Sequence, residues 1–355
     1  MTARSLGQYY LIDGDDLERA YKQHLSGFAE WDQLEHAGDW ILKSENIGEY
    51  LSIDETSLHD DLYTFLSNKE GRCRQKTIVA AVRGTKAADV TAILMQIPEE
   101  DRLAVKEVTM DLSSSMREIV STSFPNATIV LDCFHVMKRC YDAVEEMRLK
   151  AKREAQVDNR REARKFKERQ KRNAYHRKWY RKTHPLDKSY KGKPRGRKPA
   201  RKNEKYRPNV LSTGDTVIEL LTRTKHSLTQ SPDKWSVRQK ERMTLLFELY
   251  PKIKGSYWLI NDLRAIFRSK TLSKEDARPR LHEWYKSVAS CTSREVKAAR
   301  DAIKSREDEV LNYFINRSTN AGAESLNSKM KAFRAQLRGV SDLPFFMFRL
   351  NKIFG

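Results

Sequence analysis

Between residues 50 and 132 the chain alternates strand-period and helix-period apolar patterns, and after Phe134 strand period does not return. Leu51-Ser-Ile-Asp-Glu, Leu62-Tyr-Thr-Phe-Leu and Thr77-Ile-Val-Ala-Ala-Val read as three successive strands joined by short polar links that suit hairpins. Residues 87–97 place Val90, Ile93, Leu94 and Ile97 at helical spacing, and Pro98 closes the run. Val105-Lys-Glu-Val-Thr-Met reads as a fourth strand, 113–124 as a helix, and Ala127-Thr-Ile-Val-Leu as a fifth strand ending at Asp132. Connection rules leave few topologies for this order. The expectation is an α/β fold: a five-stranded mixed sheet, three strands antiparallel and then two parallel, with helices on its faces. In that sheet the end of the fourth strand lies beside the first, which brings Asp111 near Asp54.

The remainder reads as helical. Residues 1–48 are polar and aromatic and suit short helices packed on the domain behind them, and 134–182 suit a long basic helix or helices. Residues 183–208, rich in Pro, Gly, Lys and Arg, read as a loop. Residues 213–305 read as a bundle with Leu220, Leu221, Leu245, Leu246, Leu249, Trp258, Leu259, Leu263 and Phe267 as its core. The organisation expected is an N-terminal helical segment (1–48) and an α/β core (49–145 with 306–345). A basic helix and flexible loop (146–210), an all-helical insertion (211–305) and a C-terminal tail (346–355) complete it.

Net charge is +20, and it is concentrated. Residues 148–208 hold 26 of the 68 basic residues and 6 of the 48 acidic ones, so the rest of the chain is formally neutral. Such a block is either a solvated spacer or a polyanion-binding segment, and nucleic acid is the usual polyanion. Cys73, Cys133, Cys140 and Cys291 form no C-x-x-C pair, which points away from a zinc ribbon or a disulfide framework and towards a reducing cytoplasm. The N-terminus lacks the apolar core of a signal peptide, and no apolar run reaches membrane-spanning length. The expected location is the cytoplasm.

Three acids stand out by position. Asp54 interrupts an apolar strand, Asp111 follows the fourth strand, and Glu324 lies in the small-residue helix start Asn320-Ala-Gly-Ala-Glu-Ser-Leu-Asn. Each has an ordinary reading: a strand-end acid, a helix N-cap, a helix-surface carboxylate. Together they suit a pair of Mg²⁺ ions about 3.5–4 Å apart that stabilise attacking and leaving oxygens in phosphoryl displacement. Mn²⁺ is the natural substitute. Asp132 and His135, three apart at a helix start, share a face; the histidine is either a structural hydrogen-bonder or a contact to a scissile phosphate. Lys193-Pro-Arg-Gly-Arg-Lys-Pro fits a minor-groove hook as well as it fits a phosphate-contacting linker. Arg195, Arg197 and Lys198 in it, with Lys171, Arg172, Lys329, Lys331 and Arg334, are the side chains expected to contact DNA.

These segments together resemble the DDE transposases of bacterial insertion sequences, the ISL-three-type group. The resemblance runs from about residue 47 to 355. It is carried by Leu51-Ser-Ile-Asp-Glu, Val108-Thr-Met-Asp111, Leu221-Thr-Arg, the Asn320–Lys331 stretch, Arg338-Gly-Val with 345–348, and above all Phe124-Pro-Asn-Ala-Thr-Ile-Val-Leu-Asp-Cys-Phe-His-Val. It implies a ribonuclease-H-like core with a helical insertion before the last acid. It further implies Mg²⁺-dependent cleavage at element ends and transfer of the freed 3′-hydroxyl into target DNA. Asp54, Asp111 and Glu324 would be the metal-binding triad, with Asp132 and His135 as companions. Asp132 is an alternative second acid, and topology favours Asp111. Relatives carry a Cys-rich ribbon and a helix-turn-helix ahead of the core, and neither is legible here. Recognition of the terminal repeats is then expected from the basic insertion or a separately encoded partner, with a homo-oligomer assembled on DNA. Relatives also show Asp-Arg-Phe-His where this chain has Asp132-Cys-Phe-His. Two other readings stay open: a DNA-binding protein with an inactive nuclease fold, and a nuclease that cuts without joining.

Overall fold

The computed structural model describes residues 3–58, 61–184, 205–337, 339–340 and 342–355. Its strands are β1 (Trp40–Leu42), β2 (Tyr50–Leu58), β3 (Asp61–Asn68), β4 (Ile78–Arg83), β5 (Glu107–Met110) and β6 (Thr128–Leu131), in the sheet order β1-β4-β3-β2-β5-β6. β2, β3 and β4 meander antiparallel; β5 runs parallel to β2, and β6 parallel to β5. This is the mixed ribonuclease-H-like sheet read from the sequence, with one strand more. β1 pairs antiparallel with β4, Ile41 opposite Ala81, inside a segment expected to be helical. Three residues are too few to display a period, so pairing with β4 and burial of Ile41 decide its conformation.

Neighbouring residues on a strand face opposite ways. Along β2, Leu51 and Ile53 turn to one side, Ser52, Asp54 and Thr56 to the other. The helices of the crossover connections, Ala87–Leu94 and Ser114–Ser123, bury Val90, Leu94, Met116, Ile119 and Val120 and contact β4, β5 and β6. On the side of Asp54, Leu58, Tyr63 and Phe65 pack with Leu326 and Met330 of helix Ala321–Gln336. Phe346, Met347, Leu350 and Phe354 of helix Leu343–Phe354 join the same cluster. Each such side chain contributes about 1.5–3 kcal/mol on burial, and this packing lays helix Ala321–Gln336 over β2. Thr77 N–H donates to the Phe354 carbonyl at 2.8 Å, tying the end of the chain to the start of β4.

The chain divides into two compact units, Met1–Lys138 with Arg264–Tyr285 and Asp301–Gly355, and Arg139–Leu263 with Lys286–Arg300. The first part of the basic stretch, to Thr183, belongs to a single 51-residue helix, Cys133–Thr183. In the second unit, capping boxes Thr216/Glu219 and Ser236/Gln239 start helices Val217–Arg223 and Val237–Leu249. Leu220, Leu221, Leu246 and Leu263 are buried as expected, whereas Leu249 and Trp258 are exposed. Leu249 ends its helix, and Tyr257 instead of its neighbour Trp258 turns inward to pack on Trp235 and Phe247. No helix among the described residues is long and apolar enough to cross a membrane.

Candidate active site

Parallel pairing sets three carboxylates in one row. Ser52 of β2 stands opposite Thr109 of β5, and Met110 of β5 opposite Leu131 of β6. Continuing those registers brings Asp54 level with Asp111, and Asp111 level with Asp132. Partners at one level of a parallel pair face the same side, so the three acids stand side by side across β2, β5 and β6. Asp111 and Asp132 each follow the last residue of their strand. Asp54, read from the sequence as strand-terminal, is internal, because β2 continues through Thr56 to pair Leu58 with Asp61.

Helix Ala321–Gln336 crosses this row. At its start the Asn320 backbone N–H donates to Asp132 Oδ1 at 3.2 Å. Two turns on, Asn327 Nδ2 donates to Asp54 Oδ2 at 2.7 Å. Glu324, three residues before Asn327 and on the same helical face, is exposed, and a carboxylate oxygen of it lies within 4.8 Å of ligand atoms of Asp132 and His135. Cys73 Sγ donates to the Gly322 carbonyl at 3.1 Å, a further tie at the helix start.

The row is electrostatically crowded. Burial, and then the Asp111 carboxylate, push Asp54 from an ordinary 3.8 up to about 6; Glu324 adds to this, while the Glu55 backbone N–H and His135 oppose it. His135 is pushed up to about 10 because Asp111 and Asp132 hold its proton against the cost of burial, so it is an imidazolium at neutral pH. Its Nδ1 bonds to Asp132 Oδ2 at 2.9 Å and makes a 2.8 Å ion-pair contact with Asp111 Oδ1. The two carboxylates share this one N–H, and the buried Asp111 Oδ1 has no other donor among the described residues. Asp132 has both oxygens engaged and is almost fully buried.

These details separate the groups able to hold a cation. Asp132, His135 and Glu324 have ligand atoms within 4.8 Å of one another and could together hold a cation. A protonated imidazole has no lone pair to give, so His135 would join only after losing its proton. Both Asp132 oxygens already accept one hydrogen bond each. Asp54 likewise accepts on both oxygens, from the Glu55 backbone and from Asn327. A carboxylate oxygen that accepts one bond keeps a further lone pair, so Asp54, Asp111, Asp132 and Glu324 all offer oxygens to a ligand. A set of four carboxylates crowded around one imidazole fits a hard dication such as Mg²⁺.

A buried ion pair on the same face of β5 is absent from the sequence reading. Lys69 Nζ lies 3.0 Å from Glu107 Oε1 and also bonds Thr109 Oγ1, and Asn316 Nδ2 donates to Glu107 Oε2 at 3.0 Å. Burial works against the Glu107 charge, but hydrogen bonds from Ser318, Asn316 and Lys69 prevail and hold its carboxyl below the usual value. Burial lowers the Lys69 ammonium, against the pull of Glu107 and Asp132. Lys69 sits in a polar link between strands, where nothing in the sequence distinguishes it from a surface lysine. Asn327 was more accessible to sequence reasoning, since it stands one helical turn after Glu324.

Of the side chains expected to contact DNA, Lys171 and Arg172 are exposed on the long helix and Lys331 on helix Ala321–Gln336. Arg334 is half-buried, and Lys329 donates to the Cys73 carbonyl at 2.8 Å. Arg195, Arg197 and Lys198, with the whole hook-like motif, lie outside the described residues.

A mixed sheet whose parallel strands end in acids, crossed by a helix that brings one more, defines a protein of the ribonuclease-H-like class. The chain belongs to the ISL-three-type DDE transposase family, whose model, described as a transposase, matches residues 51–350. No curated protein and no solved structure gives a match. Membership makes this a DNA-processing protein with DNA as its partner.

Proposed function

We propose that this transposase cuts DNA at the ends of its insertion sequence by Mg²⁺-dependent phosphoryl transfer and joins the freed 3′-hydroxyl to target DNA. Asp54, Asp111 and Glu324 would hold two ions. The observation that carries this reading is the crowding of carboxylates at one place: Asp111, whose buried Oδ1 meets the shared His135 N–H, an Asp54 carboxyl raised by burial and then by Asp111, and an exposed Glu324 near Asp132 and His135. Bound there, Mg²⁺ supplies Lewis acidity to the attacking and leaving oxygens, and Mn²⁺ would substitute.

The chain's own residues would do the positioning. Asn327 orients Asp54, and the Asn320 backbone holds Asp132 against the helix that carries Glu324. His135, bonded to Asp132 and in contact with Asp111, spaces two carboxylates that would otherwise repel. Lys171, Arg172, Lys331, Arg334 and the Arg195–Arg197–Lys198 cluster would take phosphates. No side chain needs to form a covalent bond to DNA. The α/β core (49–145 with 306–345) would carry the chemistry, and the basic stretch (146–210) the DNA contacts. Acting on two ends calls for a homo-oligomer on DNA, with a separately encoded protein for end recognition if the basic stretch does not suffice.

The test is cleavage of a supercoiled plasmid carrying the element's own ends, with Mg²⁺ or Mn²⁺, by wild type and Asp111→Ala. Cutting at the end junctions by wild type alone supports the reading and Asp111's place in it. Equal cutting by both removes Asp111 from the triad. If wild type stays inactive after the product of the neighbouring reading frame is added, the protein only binds.

A further inference from the structure

The far end of the long basic helix carries aromatic rings in water. Tyr175 is 68% exposed, Trp179 54% and Tyr180 59%. Single exposed apolar residues are ordinary; three large aromatics within six residues are not, and of the three Tyr180 stacks on His184. Tyr175 and Trp179 are four apart and share one helical face. Phe166, nine residues before Tyr175, points to the opposite face, and there Tyr206 packs against it at 5.9 Å and bonds Glu162 at 2.8 Å. The aromatic pair therefore stands away from the face on which Tyr206 packs. Lys171, Lys178 and Lys182, one turn to either side of the rings, flank them and are exposed.

We infer that this face holds unpaired DNA, the lysines taking phosphates while Tyr175 and Trp179 stack on bases. Charge favours a polyanion, and the rings select among polyanions. A duplex offers its phosphates to the lysines but keeps its base faces against one another. Unpaired bases present a free π-face, and stacking on aromatic side chains is the common means of holding them. The inference rests on the cutting-and-joining reading above, because nicked ends and strand-transfer junctions are where such bases arise.

The test uses the full chain without divalent metal and measures anisotropy of a labelled 20-residue oligothymidine and of a mixed-sequence duplex of equal length. The double variant Tyr175→Ala/Trp179→Ala should bind the single strand about tenfold or more weakly and the duplex within about twofold of wild type. Trp179→Phe in place of Trp179→Ala should restore most of the lost affinity. Lys171→Ala/Lys178→Ala should weaken both probes alike, since phosphate contacts are indifferent to pairing. Both side-chain sets lie in water, so circular dichroism and melting should match wild type. Equal loss on both probes, or no loss on either, overturns the inference. So does Trp179-dependent binding to phosphatidylserine vesicles without preference for single strands. Asp111→Ala should keep the strand preference, so failure of the cleavage reading cannot imitate failure of this one.

Discussion

Asn327 and Asp54, 273 residues apart in the chain, are joined by a 2.7 Å hydrogen bond from the amide of the helix that carries Glu324 to the carboxylate on β2. The bond couples the last acid to the first, so a change in Asn327 should alter the chemistry before it alters DNA binding. Asn327→Ala should slow Mg²⁺-dependent cleavage by about 10–100-fold, as loss of a group orienting a ligand commonly does, with DNA affinity unchanged. Asn327→Asp should be slower still, because it sets a further negative charge against Asp54. Single-turnover cleavage beside fluorescence anisotropy separates the two effects. An unchanged rate in Asn327→Ala would mean that packing of Leu326 and Met330 alone positions the helix.

Asp54 carries a penalty that can be read as stability. Its folded pKa of about 6 exceeds the ordinary 3.8, so between those values the folded state binds more protons than the unfolded one. Stability of the metal-free protein from this group is therefore highest below 3.8, falls as pH rises through the window, and stays low above about 6. Asp54→Asn should accordingly melt higher than wild type at pH 7.5 without metal, with the gap closing towards pH 4. The variant should lose cleavage and most of the stabilisation that Mg²⁺ gives wild type. Calorimetry at the two pH values, with and without Mg²⁺, decides it; a variant that melts lower at pH 7.5 would show that the charge is compensated.

The sequence made the sheet legible where runs were long enough to show a period, as in β2 through β6, and hid β1, whose three residues owe their conformation to β4. The row of Asp54, Asp111 and Asp132 was half visible. Strand order placed Asp111 beside Asp54, but the level of each acid depends on register, which only pairing fixes. Lys69, Glu107 and the Asn320 backbone could not be found, because their partners come from distant loops. Core positions in the bundle fall on the right helices but miss at Leu249, which ends its helix, and at Trp258, where the adjacent Tyr257 takes the inward face.

The Lys69–Glu107 pair calls for a double-mutant cycle. Glu107 is almost fully buried and Lys69 largely so. Removing one partner of a buried pair leaves the other charge uncompensated, a loss of about 3–5 kcal/mol. Lys69→Met alone should come near the lower end, since Asn316 and Ser318 still bond Glu107. Lys69→Met/Glu107→Gln should recover much of that loss. Urea unfolding of the four proteins measures the coupling, and additive single effects would show that the pair does not act as one.

In the second unit, Asp215 is buried between Arg223 and Arg242, the latter at 2.6 Å. The Arg242 hydrogen bond, more than burial opposes it, holds the Asp215 carboxyl below 3.8, with Arg223 adding to the effect. The sign is that of a depressed acid: its contribution is fully present above pH 3.8 and is lost as pH falls through the lower folded value. Asp215→Asn should destabilise the protein by about 2–3 kcal/mol at pH 7, less than a fully buried pair because Arg223 is half-exposed. Its melting curve should approach that of wild type in strong acid. A deficit that persists at pH 2 would point to lost packing instead of lost charge.

Asp111 and Asp132 follow neighbouring parallel strands at one level, and their hydrogen bonds distinguish them. Asp132 spends one oxygen on the Asn320 backbone and the other on His135. Asp111 has at its buried Oδ1 only a share of the same His135 N–H among the described residues. If free lone pairs mark the metal ligand, Asp111→Asn should abolish cleavage with Mg²⁺ and with Mn²⁺, because an amide in that place gives up the negative charge the ion needs. Asp132→Asn should keep a measurable rate, about 10–100-fold below wild type, since the amide oxygen can still accept one of the two bonds. His135→Gln should resemble Asp132→Asn, because it removes the same contact from the other side. The comparison is single-turnover cleavage of a pre-formed end by all three variants. The reverse order, with Asp132→Asn inactive and Asp111→Asn merely slow, would move the second ligand to β6 and make Asp111 the residue that orients it.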